Sequence, residues 1–206
     1  MAQESYGPVP AEIAQKLSEV STATVTHELF KLGIRNTFMA GVRRLNPGRP
    51  MIGYATTLRL LPMREDLYDR SQVVNVTYPQ RLLIDTIEPG AVLVVEARGD
   101  LRAGIIGDLL LARMKFRGAA GVVTDGAMRD SPSMAESDFP VYLGGSHGAA
   151  SMAVHLSLDG NLPIACGGVT VLPGDVIFGD EEGVVVIPRK LASQVATNAW
   201  NEERVE

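Results

Sequence analysis

Cysteine is nearly absent from this chain: Cys166 stands alone among 206 residues. No intrachain disulfide is possible, and without a signal-peptide pattern a reducing, cytoplasmic setting is the simplest home. A lone thiol of this kind reads as a small buried hydrophobe rather than a nucleophile. Aromatic residues make up only 5%, so Ala, Val, Leu and Ile must fill the core. No apolar run approaches the length of a membrane span, and no membrane partner is expected. Positive charge is also in short supply, with a net charge of −5. Counterion release on nucleic acid needs a basic face, so no nucleic-acid partner is expected either. Lysine occurs only as Lys16, Lys31, Lys115 and Lys190, none obviously placed for a Schiff base. His27, His147 and His155 lack the spacing of a metal cluster. Each reads as a structural or surface residue, with His147, in a glycine-rich loop, the one worth testing. Asn75-Val76-Thr77 matches a glycosylation sequon by chance.

What remains is ordinary globular material. Hydrophobic residues make up 46% and charged residues 21%, a composition that supports one domain over residues 1–206. The 21 Gly and 12 Pro imply frequent turns between short strands. Helices are predicted over Pro10–Val20, from a Ser21 or Thr22 cap to near Gly33, over Gln80–Ile87, over Asp108–Arg117, and from Pro188 through Trp200. Strands are predicted at Ile52–Leu60, Ala91–Glu96 and Gly121–Thr124, the last two as near-continuous apolar runs of buried strands. Together with the helix between them they form one βαβ-like unit. Further strands are predicted at Phe139–Tyr142, Pro163–Ala165, Gly168–Val171, Val176–Phe178 and Gly183–Ile187, as antiparallel hairpins or a barrel-like sheet. The segment Arg64–Tyr78 shows no clear pattern.

The chemistry concentrates in Gly107-Asp108-Leu109-Leu110 and, after one helix and one strand, Arg129-Asp130. A helix begins with unpaired N–H groups and the positive end of a dipole, so it binds anions. The amides near Leu109 and Leu110 are placed to hold a carboxylate, with Gly107 allowing close approach and both leucine side chains facing the core. Asp108 is either the helix N-cap or an acceptor for metal-bound water. Arg129-Asp130 follows a buried strand and a glycine turn, at the kind of strand end where ligands gather. The pair is either a surface ion pair or a site in which Arg129 grips oxyanions. There, Asp130 would hold a hydrated Mg²⁺.

These two motifs, the Gly118–Gly126 segment, Pro173-Gly174-Asp175 and the stretch Gly179–Pro188 together resemble the RraA-like family. That family includes class II pyruvate aldolases acting on 4-hydroxy-4-methyl-2-oxoglutarate and 4-carboxy-4-hydroxy-2-oxoadipate. The likeness runs from roughly the second helix to Pro188, and the Gly107-to-Arg129 spacing agrees with the aldolase pattern. The resemblance implies an α/β fold of the swivelling β/β/α type, with mixed sheets and flanking helices, in a homotrimer or hexamer. It implies a metal-dependent carbon–carbon lyase that releases pyruvate and also decarboxylates oxaloacetate. Substrate would be held by Gly107, Asp108, Leu109, Leu110 and Arg129, with Arg129 and Asp108 catalytic and Asp130 anchoring Mg²⁺ or Mn²⁺. A carboxylate from a neighbouring subunit would complete the site, with Glu202 or Glu203 as candidates. The sequence departs from the family at His27, where relatives commonly carry aspartate, and across Gly144–His155. The rival implied by the same family is a non-catalytic regulator of the ribonuclease-inhibitor type.

Overall fold

The computed structural model describes residues 5–68 and 78–205; the sequon at Asn75 lies outside them. In chain order the helices are α1 (Ala11–Ser18), α2 (Thr22–Lys31), α3 (Pro79–Thr86), α4 (Asp108–Phe116), α5 (Ser131–Ala135) and α6 (Ala192–Glu203). The strands are β1 (Arg43–Arg44), β2 (Met51–Pro62), β3 (Ala91–Glu96), β4 (Gly121–Thr124), β5 (Ala127–Met128) and β6 (Val141–Leu143). They continue with β7 (Gly145–Ser146), β8 (His155–Gly160), β9 (Ile164–Cys166), β10 (Val169–Val171), β11 (Val176–Gly179) and β12 (Val184–Ile187).

Among the described residues, the main sheet runs in the order β1-β6-β4-β3-β2-β11-β12, with β8 paired to β2 outside that path. It is mixed. β2, β3, β4 and β6 are mutually parallel, while β1, β8, β11 and β12 join antiparallel. The predicted βαβ unit is present: β3 and β4 pair in parallel, Val92 opposite Gly121, with α4 as the crossover. The expected hairpins form as β9-β10 and β11-β12.

The central strands are apolar throughout because both of their faces are covered. Along β3, Leu93 and Val95 enter the core beneath α3 and α4, with Leu83, Ile84, Leu111 and Met114. Val92 and Val94 point the other way, to a second core closed by Ile164, Cys166 and Val169 of the β9-β10 hairpin. The same alternation divides β12, where Val184 and Val186 join that second core. Val185 and Ile187 face a third core beneath α1, α2 and α6, with Leu17, Leu29 and Val195. Truncating such a residue, as in Leu93→Ala, costs about 2–5 kcal/mol. Cys166 is fully buried, and burial pushes its thiol well above the usual range, as expected of a small hydrophobe.

Some elements escaped sequence patterning. The fourth predicted strand begins later than expected, at Val141, and α5 and β8 were not anticipated. In β8 the usual code is partly inverted: His155 and Ser157 are buried while Leu158 is 43% exposed.

Candidate functional site

The C-terminal ends of β3 and β4 lie side by side and feed two loops into the same place, the location favoured for ligands in parallel sheets. The Asp125 carboxylate accepts the N–H of Ala97 at 2.6 Å and of Gly99 at 3.1 Å, tying the loop after β4 to the loop after β3. Further along, Ile105 N–H donates to the Ala127 carbonyl at 2.8 Å and Arg129 N–H to that of Ile106 at 2.9 Å. A third segment closes the other side, with Gly104 N–H on the Ala149 carbonyl and His147 N–H on that of Met128. Gly104 must be glycine for this: a Cβ there would sit 2.6 Å from the His147 carbonyl oxygen and 2.7 Å from the Arg129 nitrogen. The segment Gly144–His155, where the sequence departs from the aldolase pattern, thus supplies a wall of the site.

These three segments and the start of α3 enclose a cavity of about 280 Å³. All six predicted residues line it: Gly107, Asp108, Leu109, Leu110, Arg129 and Asp130. Gly107 is the N-cap of α4, and among the described residues no side chain caps that helix start. The first helical bond runs from Leu111 N–H to the Gly107 carbonyl at 3.1 Å, leaving the earlier amides of the turn for another acceptor. Asp108 is therefore the first helical residue rather than the cap. The reason for glycine at 107 is also sharper than expected. A Cβ there would lie 2.5 Å from Asp130 Oδ2 and 3.1 Å from Arg129 Nε, so its absence lets these two side chains reach the helix start.

The side-chain prediction for the two leucines needs correction. Leu110 packs against the core, but Leu109 is 82% exposed. Successive helical residues turn by about 100°; Leu110 and Leu111 share the side that faces the core, and Leu109, one step before them, falls outside it.

Arg129 Nε and Asp130 Oδ2 form an ion pair at 3.1 Å, open to solvent on both sides. Asp130 has a left-handed backbone, φ 55°, and precedes α5 without capping it through its side chain. Aspartate tolerates that region better than most residues, and the turn leaves its carboxylate directed at the helix start. Among the described residues, no group of three or more His, Cys, Asp or Glu is arranged around a common point. An all-protein metal cage is therefore not the fit. One accessible, hard carboxylate with room for water suits a largely hydrated Mg²⁺ or Mn²⁺.

Sequence reasoning missed the contribution of α3. Tyr78, Gln80 and Arg81 line the cavity, as do Ala150, Ser151 and Met152. Gln80 is buried and donates through Nε2 to the Ile105 carbonyl at 2.8 Å. The Tyr78 hydroxyl accepts the Ser157 N–H at 3.1 Å, and burial raises its pKa. It stays protonated at neutral pH. A predicted helix at Gln80–Ile87 was the only sequence signal, and it does not say which loop the helix faces.

The other candidates fall elsewhere. His147 Nδ1 accepts the Ala149 N–H at 3.1 Å and so braces its own loop. His27 pairs with Glu202 at 3.0 Å. His155 is buried, and neither ring nitrogen has a partner among the described residues; burial lowers its pKa, opposed by the Asp100 carboxylate. Glu202 also binds Lys31 at 3.1 Å, and Glu203 accepts from Ser21 N–H and the Thr24 hydroxyl. Neither glutamate lines the cavity in its own chain. A larger cavity of about 750 Å³ lies between Tyr6, Tyr54 and Leu83. Its carboxylates are engaged, Glu88 by the Tyr6 and Gly7 amides and Asp159 by Arg59. Among the described residues, no helix is long and apolar enough to cross a membrane.

Known proteins resemble this chain in sequence and fold. A Halalkalibacterium halodurans protein, provisionally named 4-hydroxy-4-methyl-2-oxoglutarate aldolase, is 42% identical over 158 residues, covering 77% of this chain and 69% of its own. Protein DlpA of Legionella pneumophila is 26% identical over 98% of this chain, which spans only 34% of that protein's length. The crystal structure of Streptomyces coelicolor RraAS2, described as an unusual member of the RNase ES inhibitor RraA family, superposes with a TM-score of 0.85. It is 33% identical and the match covers 98% of this chain and 96% of RraAS2. The family model described as RraA-like, Aldolase/RraA, matches residues 22–186. That span holds β2, β3, β4, the open start of α4 and the Arg129-Asp130 pair, and the chain belongs to the RraA-like family.

Proposed function

We propose that this protein is a divalent-metal-dependent aldolase that cleaves a 4-hydroxy-2-oxo acid to pyruvate and also decarboxylates oxaloacetate. The observation that carries this reading is the meeting of an uncapped helix start, Arg129, Asp130 and Asp108 in one small cavity. The aldolase name of the H. halodurans relative supports it.

In this reading, the amides of Leu109 and Leu110 hold the substrate carboxylate, aided by the helix dipole. Gly107 keeps the approach to those amides clear. Asp130 would hold Mg²⁺ or Mn²⁺, which when bound supplies Lewis-acid polarisation of the 2-oxo group. Asp108 accepts the 4-hydroxyl proton through an intervening water. That oxygen becomes a carbonyl as the C3–C4 bond breaks, and the electron pair of the bond passes into the enolate of pyruvate. Arg129 stabilises the enolate oxygen as its charge develops. A proton returned to C3 then gives pyruvate. Oxaloacetate loses CO₂ through the same enolate, so one site serves both reactions. The working form in this reading is a homotrimer or hexamer, and Glu202 or Glu203 of a neighbouring copy would add a carboxylate. Both are engaged within their own chain, so that role requires them to exchange partners.

The test is pyruvate release from oxaloacetate and from a 4-hydroxy-2-oxo diacid with Mg²⁺. Activity abolished by EDTA and by Asp130→Ala is expected, and no metal-dependent pyruvate from either substrate rejects the reading. A second reading, a regulator acting through protein contact, draws on the likeness to RraAS2. Ribonuclease binding that survives Asp130→Ala, with no turnover, would favour it.

A further inference from the structure

We infer that Gln80 is a positioning residue for the site: through the Ile105 carbonyl it sets where the first amides of α4 point. This rests on the aldolase reading only in taking those amides as the cradle of a substrate carboxylate. The amides follow the segment Gly104–Gly107, which lies between β3 and α4. Neighbouring loops hold that segment by its backbone. Gly104 N–H donates to the Ala149 carbonyl, Ile105 N–H to that of Ala127, and the Ile106 carbonyl accepts the Arg129 N–H. The Ile105 carbonyl is taken by a side chain instead, with Gln80 Nε2 donating to it at 2.8 Å.

That bond ties the segment to a different layer of the molecule. Gln80 stands in the first turn of α3, directly after Pro79, whose ring presets the backbone of the opening turn. α3 is seated on the sheet, with Leu83 and Ile84 in the core and the Tyr78 hydroxyl on the Ser157 N–H. The donor is therefore presented from a fixed base. Gln80 is buried, and so are Ile105 and Ile106. Neither end of the bond can turn to water instead, so the pair stays made. Ile105 lies two residues before Gly107, and a shift of its carbonyl carries over to the N-cap and the amides after it. The cation end is placed differently. Asp130 takes its direction from its own left-handed turn, with the Met134 N–H on its carbonyl at 3.1 Å. Among the described residues, no bond from Gln80 reaches it. Gln80 thus acts on the anion end of the site and not on the cation end.

The experiment compares the full wild-type chain with Gln80→Met, which keeps the length without the donor, and Gln80→Glu, which keeps the shape. Pyruvate is titrated calorimetrically at saturating Mg²⁺, and Mn²⁺ affinity is read by electron paramagnetic resonance without pyruvate. Both variants should bind pyruvate about 10-fold or more weakly, the scale on which outer partners of a ligand-holding group matter. Their Mn²⁺ affinity should be unchanged. A glutamine that only stabilises the fold would lower both affinities together or neither, and either result overturns the inference. In the wild type, the Gln80 side-chain amide should be protected from solvent exchange by nuclear magnetic resonance. Free exchange overturns the inference even where a variant fails to fold. Pyruvate release from oxaloacetate, measured alongside, separates the two claims. Pyruvate binding that depends on Gln80, without turnover, rejects the aldolase and keeps the positioning role. Turnover with pyruvate binding indifferent to Gln80 does the reverse, and a wild type that binds no pyruvate overturns the positioning role.

Discussion

At the start of α2, the backbone donors are met by the protein itself. Ser21 Oγ accepts the Thr24 N–H at 3.1 Å, Asp180 accepts the Thr22 N–H at 2.7 Å, and Glu203 accepts the Ser21 N–H at 3.1 Å. At the start of α4, the capping position is Gly107, no side chain among the described residues closes the turn, and the Asp130 carboxylate close by is paired with Arg129 instead. Both helix starts carry the same partial positive charge. One spends it on stability and the other leaves it accessible. An unsatisfied helix start beside a half-exposed ion pair is weaker as structure, and that weakness is what makes it available to a ligand.

Three experiments break or sharpen this contrast. The largest effect is expected from Gly107→Ser, which gives α4 the kind of cap α2 has. The new Cβ meets Asp130 Oδ2 at 2.5 Å, so the carboxylate must move. Misplacement of about 1 Å costs about 10²-fold in activity, and pyruvate release should fall by that order. Because the atom displaced is the end of an exposed side chain, the denaturation midpoint should barely change. Retained activity would show that the open cap is not required.

The reciprocal change is Asp180→Ala, which removes a capping carboxylate from α2. Loss of an N-cap interaction costs about 1 kcal/mol, within a range of about 0.5–2, measurable by urea denaturation. Pyruvate release per folded molecule should be unaltered, and a matching loss of activity would mean that the two helix starts are coupled.

The smallest effect concerns His155, which belongs to neither helix start. Burial holds its pKa below the ordinary value of 6.5. Below that pH the unfolded chain binds a proton that the folded chain resists, so this residue's contribution to stability is present above 6.5 and is lost as pH falls towards the folded pKa. His155→Gln should flatten that part of the stability profile between neutral and mildly acidic pH. A slope identical to that of the wild type would show that His155 takes no part in it.

The sequence made the site's constituents legible more readily than its walls. β3 and β4 were predicted at their observed bounds because strands covered on both faces leave uninterrupted apolar runs. The start of α4 was visible because a glycine precedes a helical stretch that opens on an acidic residue. β8 was not visible, since its buried positions include His155 and Ser157 while Leu158 faces outward, against the pattern that reveals strands. The role of α3 could not be read either. Gln80 and Arg81 lie between twenty and fifty residues from the motifs they join, and nothing local records which loop a helix will face.

By itself, then, the sequence determined the βαβ unit, the hairpins, the small aliphatic core and the six residues gathered at the helix start, because local periodicity and turn chemistry act over a few residues. Only the tertiary structure decided that Asp108 is not the cap, that Leu109 points to solvent, and that Gly107 makes room for Asp130 and Arg129. It also decided that Arg81 shares their cavity. Those outcomes depend on which chain segments approach one another, and close packing fixes that only when the sheet and its covering helices are assembled.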